Sequence, residues 1–553
     1  MKTKTVTSFR PRRLRQLRWT QVYALSLVFC LVLTGCFNEE PSTYYGKIVP
    51  PRAQEFRWSD GGLPQTFDPA FAAAPPDTDA VRALFEGLTD YDPQTLAPVP
   101  GVAQRWESSQ DGRVWTFYLR DNARWSNGES VTAGDFVRSW QRTLKIGPLA
   151  PHTELLNNIE GATATPPPVN ATEAAPHFGA KAIGEHVLQV TLQQADDSFP
   201  ALVAHPVFRP VKLADAENTK PIESHELISN GAFLLSAAEE DRVRLERART
   251  YWDGESVSLE RVTFVNAANP EDALSAYHQG EIDAVTNAAF EPLALKLLAP
   301  YKDFRRSTFG ALTYYVFNVD REPFDDVRVR EALALAIDRE RVSRDDLRGA
   351  TEPAGRFLPD AMSGEKPVVE KTELLDHDVN KARELLAEAG YPDGDGFPVM
   401  RLLINRNEQQ RTVAQSIAAM WRATLNIQTE IVIKSWDEYE AAIQAGDYDV
   451  VRRGLVMQTT SELTNIAMLF GRDSHPAPVQ PPAGLANPPA PEPQPALIET
   501  EAQALKELKA MPIYFASSYS LVKPYVSGFD RNVLDAPSLK RTRLDTNWSE
   551  QGR

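Results

Sequence analysis

The first residue with chemistry of its own is Cys36, one of two cysteines in 553 residues, and it follows Leu33-Thr34-Gly35. Upstream stand Lys2, Lys4, Arg10, Arg12, Arg13, Arg15 and Arg18 with no acid among them, then the apolar run Val22 to Leu33. A basic region, a short apolar run and small residues before a cleavage point form an export signal. The run is too short for a bilayer, which takes about 20 residues. Elsewhere the chain offers little for catalysis. It contains no His-Glu-x-x-His, no Gly-x-Ser-x-Gly and no phosphate-cradling glycine loop. Its eight histidines are scattered singly, without metal-ligand spacing. The pairs Asp196-Asp197 and Asp345-Asp346 lie in charge runs and read as surface. The chain is therefore read as a non-enzyme without cofactor or metal.

Leu33-Thr34-Gly35-Cys36 resembles the bacterial lipobox, in which the cysteine is lipidated and becomes the new N-terminus. Residues 1–35 are then the signal and Cys36 the membrane anchor, in an exported, periplasmic or cell-surface protein. Phe37, a non-aspartate after the cysteine, favours an outer membrane in two-membrane bacteria. Cys30 leaves with the signal, so no disulfide remains. Loss of the seven signal cations takes the formal charge from −16 to −23. Such a chain is repelled by phosphate backbones, which argues against nucleic acid as a partner.

Phe37 to Arg52, with Pro41, Pro50 and Pro51, reads as an extended tether of roughly 50 Å reach. Beyond it strands and helices alternate. Trp115, Phe117 and Leu119 have strand spacing, as do Leu188, Val190 and Leu192, and Ile427, Thr429, Ile431 and Ile433. Val329, Leu333, Ala336 and Ile337 have helical spacing after the candidate caps Asp325 and Asp326. Asp378 to Gly390 reads as a complete short helix, with an acid at its start and a glycine to stop it. Helices are also read over Asp437 to Ala445 and about Ile498 to Lys509. Two proline-rich segments, Thr163 to Ala175 and Pro476 to Pro495, interrupt the pattern. The mixture predicts an α/β protein of several sheets.

WTFYLRDNARWSNGESVTAGDFVRSW (Trp115–Trp140) carries a family resemblance. In the same order come LFEGLTDYDP ending at Pro93, Tyr251-Trp-Asp-Gly254, Gly280-Glu-Ile-Asp283, Pro323 to Ala332, Ala387 to Pro392, Met511 to Phe515 and Val522 to Gly528. The set resembles the peptide-type (oligopeptide and dipeptide) solute-binding proteins of ABC importers, most of all the oligopeptide branch. The resemblance implies a periplasmic-binding-protein clam-shell of three domains. Lobe I would take 53–85, 209–310 and 511–553; an inserted domain II, 86–208; and lobe III, 311–510 with the insert 476–495. It implies a monomer that holds a peptide or related small solute between lobes I and III and delivers it to an ABC permease complex.

The resemblance also locates departures. In the peptide binders an Arg-x-Gly-Trp-x-x-Asp-Tyr segment closes over the ligand, and its aspartate pairs with the peptide α-ammonium. Here Arg452 remains, but Leu455 replaces the tryptophan and Gln458 the aspartate. A hydrogen bond to a charged group is worth roughly 1.5–3 kcal/mol against about 1 for a neutral one, so the device for a free N-terminus is missing. Gln410 falls where a histidine meets the peptide C-terminus, and His152 falls on a pocket tyrosine. Trp436 matches a ligand-side tryptophan, with a core aromatic as its other reading, and Ala74 completes the expected cleft set. After Phe470 the chain is shorter than the family, which implies a trimmed, more open lobe III. A descendant that keeps the fold but serves as an envelope sensor or accessory lipoprotein is the alternative function.

Overall fold

The computed structural model describes residues 43–162, 178–213, 218–362, 375–470 and 498–549. The signal, Cys36 and both proline-rich segments lie outside the described residues. Among the described residues, eleven strands form one sheet: Glu55–Asp60 (β1), Phe233–Ala238 (β2), Arg242–Arg247 (β3), Arg261–Val265 (β4), Ala284–Thr286 (β5), Phe304–Phe317 (β6), Thr351–Pro353 (β7), Met400–Asn405 (β8), Thr429–Lys434 (β9), Val450–Val456 (β10) and Ala510–Val522 (β11). Their order is β9-β8-β10-β6-β11-β5-β1-β4-β3-β2, with β7 paired to β11. A smaller antiparallel sheet runs Ala103–Ser108, Val114–Leu119, Val187–Thr191, Ala180–Gly184.

The local signals work as the physics requires. Trp115, Phe117 and Leu119 are buried on one face of their strand while Val114, Thr116 and Tyr118 are half-buried on the other. Asp378 accepts the Lys381 N–H at 2.9 Å and Asp326 the Arg328 N–H at 2.8 Å, so each caps its helix, Val379–Glu388 and Val327–Leu335. The helix read from about Ile498 to Lys509 is shorter, Glu501–Glu507, because Thr500 caps its start and Leu508 turns left-handed at φ 46°.

Among the described residues two apolar cores are large, with smaller clusters beside them. One core gathers Phe56, Trp58 and Phe264 of the large sheet and Phe117 of the small one, together with Phe529, Trp125 and the helical Trp140. Lobe I and the inserted domain therefore share a core. Arg142 reinforces that joint: buried, it donates to both Asp68 oxygens at 3.0 and 2.6 Å. The second core gathers Tyr315, Phe317, Leu333, Ile417 and Trp421 from the span expected for lobe III, and it also takes in Ile513 of β11, just past the expected 510/511 boundary.

β6 and β11 run from one core into the other. Phe304 to Thr308 pair with Leu521 to Ser517, and Leu312 to Val316 pair with Phe515 to Ala510. Between them the register breaks over Phe309, Gly310 and Ala311. There Gly310 donates to the Val533 carbonyl at 2.7 Å and accepts from the Met457 N–H at 2.7 Å. A bulge of this kind bends a ribbon locally.

The N-terminal segment departs from the extended tether read over 37–52. From Thr43 the chain is held on lobe I. Tyr45 packs against Tyr277, His278 and Tyr301, its N–H reaches Asp303 Oδ1 at 2.9 Å, and its carbonyl accepts Lys523 Nζ at 3.1 Å. Aromatic burial and a charge-assisted hydrogen bond outweigh the freedom of a loose strand.

Candidate functional site

A cleft opens where β10 of lobe III faces the inserted domain. Arg453 and Leu455 of β10 stand opposite Tyr314 and Leu312 of β6. Side chains alternate along a strand, so these share a face with Val451 and leave Arg452 on the other. The helix Trp436–Gln444, started by a Ser435–Glu438 capping box, covers the Val451 face through Tyr439, Ala442 and Ile443. Across from this wall lie Glu154, Leu155, Asn157, Asn158, Gln193 and Gln194, and Leu463, Thr464, Ala467 and Met468 close one side. The enclosed space is about 470 Å³. Its lining combines four side-chain amides, one guanidinium, one carboxylate and several apolar groups.

Trp436 is 61% exposed, with its ring 5.6 Å from that of Tyr439. The core-aromatic reading of Trp436 thus falls, because the first position of this helix points out of the lobe. Arg452 lies behind the cavity wall, where its Nη2 donates to Thr313 Oγ1 at 3.3 Å and its buried Nε has no partner among the described residues. Gln410 is also there, buried in the first turn of Glu408–Leu425, and donates to the Tyr514 hydroxyl at 3.2 Å.

A third group joins Gln458, His152 and the segment of Ala74. Val207 N–H donates to His205 Nδ1 at 3.2 Å, so this ring nitrogen carries no proton and Nε2 does. That Nε2–H donates to Gln458 Oε1 at 3.3 Å, and the Gln458 amide nitrogen donates to the Val456 carbonyl at 3.2 Å. The His152 ring stands edge-on to His205 at 5.1 Å and donates through Nε2 to the Ala73 carbonyl at 2.7 Å. Ala74 itself is exposed, and its carbonyl accepts the Thr78 N–H at 3.1 Å.

Electrostatics separate the two rings. Complete burial, then the neighbouring His152 and Arg82, push His205 well below the usual histidine value and keep it neutral. Burial also pulls His152 down, but the Glu154 carboxylate, 3.7 Å from Nδ1, and the Ala73 carbonyl outweigh it and leave His152 above that value. Asp196 departs from its surface reading. It is buried, accepts the Ser198 N–H at 2.9 Å, and faces Ser461 Oγ at 3.5 Å.

The profile of the family described as "Bacterial extracellular solute-binding proteins, family 5 Middle" matches residues 97–475. The chain belongs to the family 5 solute-binding proteins. Periplasmic oligopeptide-binding protein OppA of Escherichia coli (strain K12) is 31% identical over 85% of this chain and 89% of its own length. Periplasmic murein peptide-binding protein MppA of the same organism is 33% identical over 74% and 76%. The unliganded open form of the MppA murein tripeptide-binding protein superposes with a TM-score of 0.73 at 28% identity, covering 90% of this chain and 98% of that one. A second structure of the Escherichia coli protein reaches 0.63 at 28% identity, covering 90% and 99%. This family 5 protein is thus more similar to the open form than to that second structure, which agrees with the exposed Trp436.

The sequence did not point to Arg453, Tyr314, His205 or the amide row. Arg453 adjoins Arg452, and strand parity alone decides which of the two faces the cleft. His205 gains meaning only from Gln458, which is 253 positions away.

Proposed function

We propose that this family 5 protein is the lipid-anchored, extracytoplasmic binding component of an ABC importer and captures a peptide or peptide-like solute in the cleft between lobe III and the unit that lobe I forms with the inserted domain. The observation that carries the reading is the amide-rich cavity. Asn157, Asn158, Gln193 and Gln194 offer donors and acceptors in both senses. A peptide backbone needs that pairing whatever its side chains, while Leu155, Leu455 and Met468 accept apolar groups without specifying them. The Escherichia coli relatives are named for oligopeptide and murein peptide binding, which supports the same solute class. Export and acylation at Cys36 would place the binder outside the cytoplasm, as a monomer held near a permease. The lobe boundaries at 85/86, 208/209, 310/311 and 510/511 belong to this reading; the register break at Gly310 supports the third, whereas the pairing of Leu312–Val316 with Phe515–Ala510 favours a fourth boundary a few residues later.

Gln458 tunes the solute class. Its amide is neutral and already bonded to His205, so a peptide α-ammonium finds no counter-ion there. Calorimetry of the mature protein with tri- to pentapeptides tests the reading. One-site binding is expected, and Gln458→Asp should tighten peptides with a free α-amine about fivefold to tenfold, the gain from a charge-assisted bond. N-acetylated peptides should show no such gain. An absence of heat with every peptide would refute the function. Binding without a gain in the variant would mean that the shape of lobe III, and not one missing charge, limits affinity.

A further inference from the structure

Lobe I carries an apolar face that neither its core nor the cleft uses. The helix Pro292–Leu298 turns Leu298 inward, into a cluster with Tyr277, Val285 and Tyr45. Leu293 and Leu297, one turn apart, point the other way and are 68% and 64% exposed. The exposed Lys47, Lys296 and Lys302 belong to the same region, and none forms an ion pair among the described residues. Glu291 lies at the far, N-terminal end of the helix. On a chain of formal charge −16, a leucine pair stands here among three lysines, with the exposed Glu281 and Glu291 nearby.

The course of the chain says what covers this face. The Thr43 carbonyl accepts the Lys302 N–H at 2.9 Å, which fixes the start of the described chain beside the C-terminal end of the helix. Cys36 precedes Thr43 by seven residues, a reach of roughly 24 Å even when fully extended. Leu297 precedes Lys302 by five residues and so lies within roughly 17 Å of that point. A bilayer holding the acyl chains of Cys36 is therefore within reach of both leucines.

We propose that the Leu293–Leu297 face of lobe I rests in the interfacial layer of the bilayer that anchors Cys36. The leucines enter the headgroup boundary, and Lys47, Lys296 and Lys302 lie along lipid phosphates with their stems on the apolar surface. This orientation rests on the lipid-anchor reading of Cys36. It gives the tethered protein one preferred side toward the membrane, where a lipid anchor alone would allow any.

The test uses the full lipidated chain in vesicles of phosphatidylethanolamine and phosphatidylglycerol. Cys30 leaves with the signal and Cys36 is acylated, so an introduced cysteine is the single reactive thiol. Leu293→Cys and Leu297→Cys carry an environment-sensitive fluorophore, and Leu149→Cys, at a site 78% exposed in the inserted domain, is the control. Blue-shifted emission and quenching by lipid-borne nitroxides are expected at 293 and 297 and not at 149. If the protein floats with vesicles but all three labels behave alike, the membrane face is wrong and the anchor stands. Labels that shift only when a permease is present would replace the bilayer by a protein partner and also overturn it. A protein that does not float at all refutes the anchor and the face together.

Discussion

At the scale of single residues, the contact between His205 and Gln458 fixes a protonation state. Val207 occupies His205 Nδ1, and burial disfavours the cation, so the folded ring stays neutral. An unfolded histidine takes its proton near pH 6.5. A depressed folded value means that the stability from His205 is complete above about pH 6.5 and is lost as pH falls below it. His152, held above its usual value, has the opposite sign: its contribution is complete below about pH 6.5 and is lost as pH rises through the folded value. Urea denaturation at pH 7 and pH 5 separates the two. His205→Gln should lose less stability on acidification than the parent, and His152→Gln should lose more. Parallel losses in all three proteins would contradict the assigned tautomer and the pair with Glu154.

At the scale of elements, the joints between units carry the predictions. Gly310 sits in the break of the β6–β11 ribbon. A Cβ there would meet Met362 Cε at 3.0 Å and the Val533 carbonyl at 3.1 Å. Gly310→Val should destabilise the fold by about 1–3 kcal/mol through overpacking, read by chemical denaturation, and should slow closure on ligand. The Arg142–Asp68 pair joins the inserted domain to lobe I. Asp68→Ala leaves a buried guanidinium uncompensated and should cost about 3–5 kcal/mol, with thermal unfolding as the check. Much of this level is legible in the sequence, because caps and alternation are local. Asp378, Asp326 and the Trp115 strand each declare themselves within a few residues. Other features are not legible. Arg453 and Arg452 are equivalent until the pleat assigns them to opposite faces, and Asp196 looks solvated until Ser461 packs on it. Tyr45 passes for tether because its partners Tyr277, Tyr301 and Asp303 lie more than 230 positions away.

At the scale of the whole molecule, the two large cores and the ribbon between them make a clam-shell, and its lobes are expected to swing about the break at Gly310. The TM-score is higher to the open form of MppA than to the second structure of that protein, and Trp436 stands exposed. Closure should cover Trp436, now 61% exposed, so the parent should show a ligand-dependent blue shift in tryptophan emission that Trp436→Phe diminishes. A shift unchanged by that substitution would assign the signal to one of the eight other tryptophans of the mature chain. The most direct test of solute capture is native mass spectrometry of the mature protein purified from its own envelope. The account predicts a stoichiometric peptide or peptide-like molecule, released on unfolding. An empty protein that also ignores a peptide library would contradict it and leave the fold without its transport role.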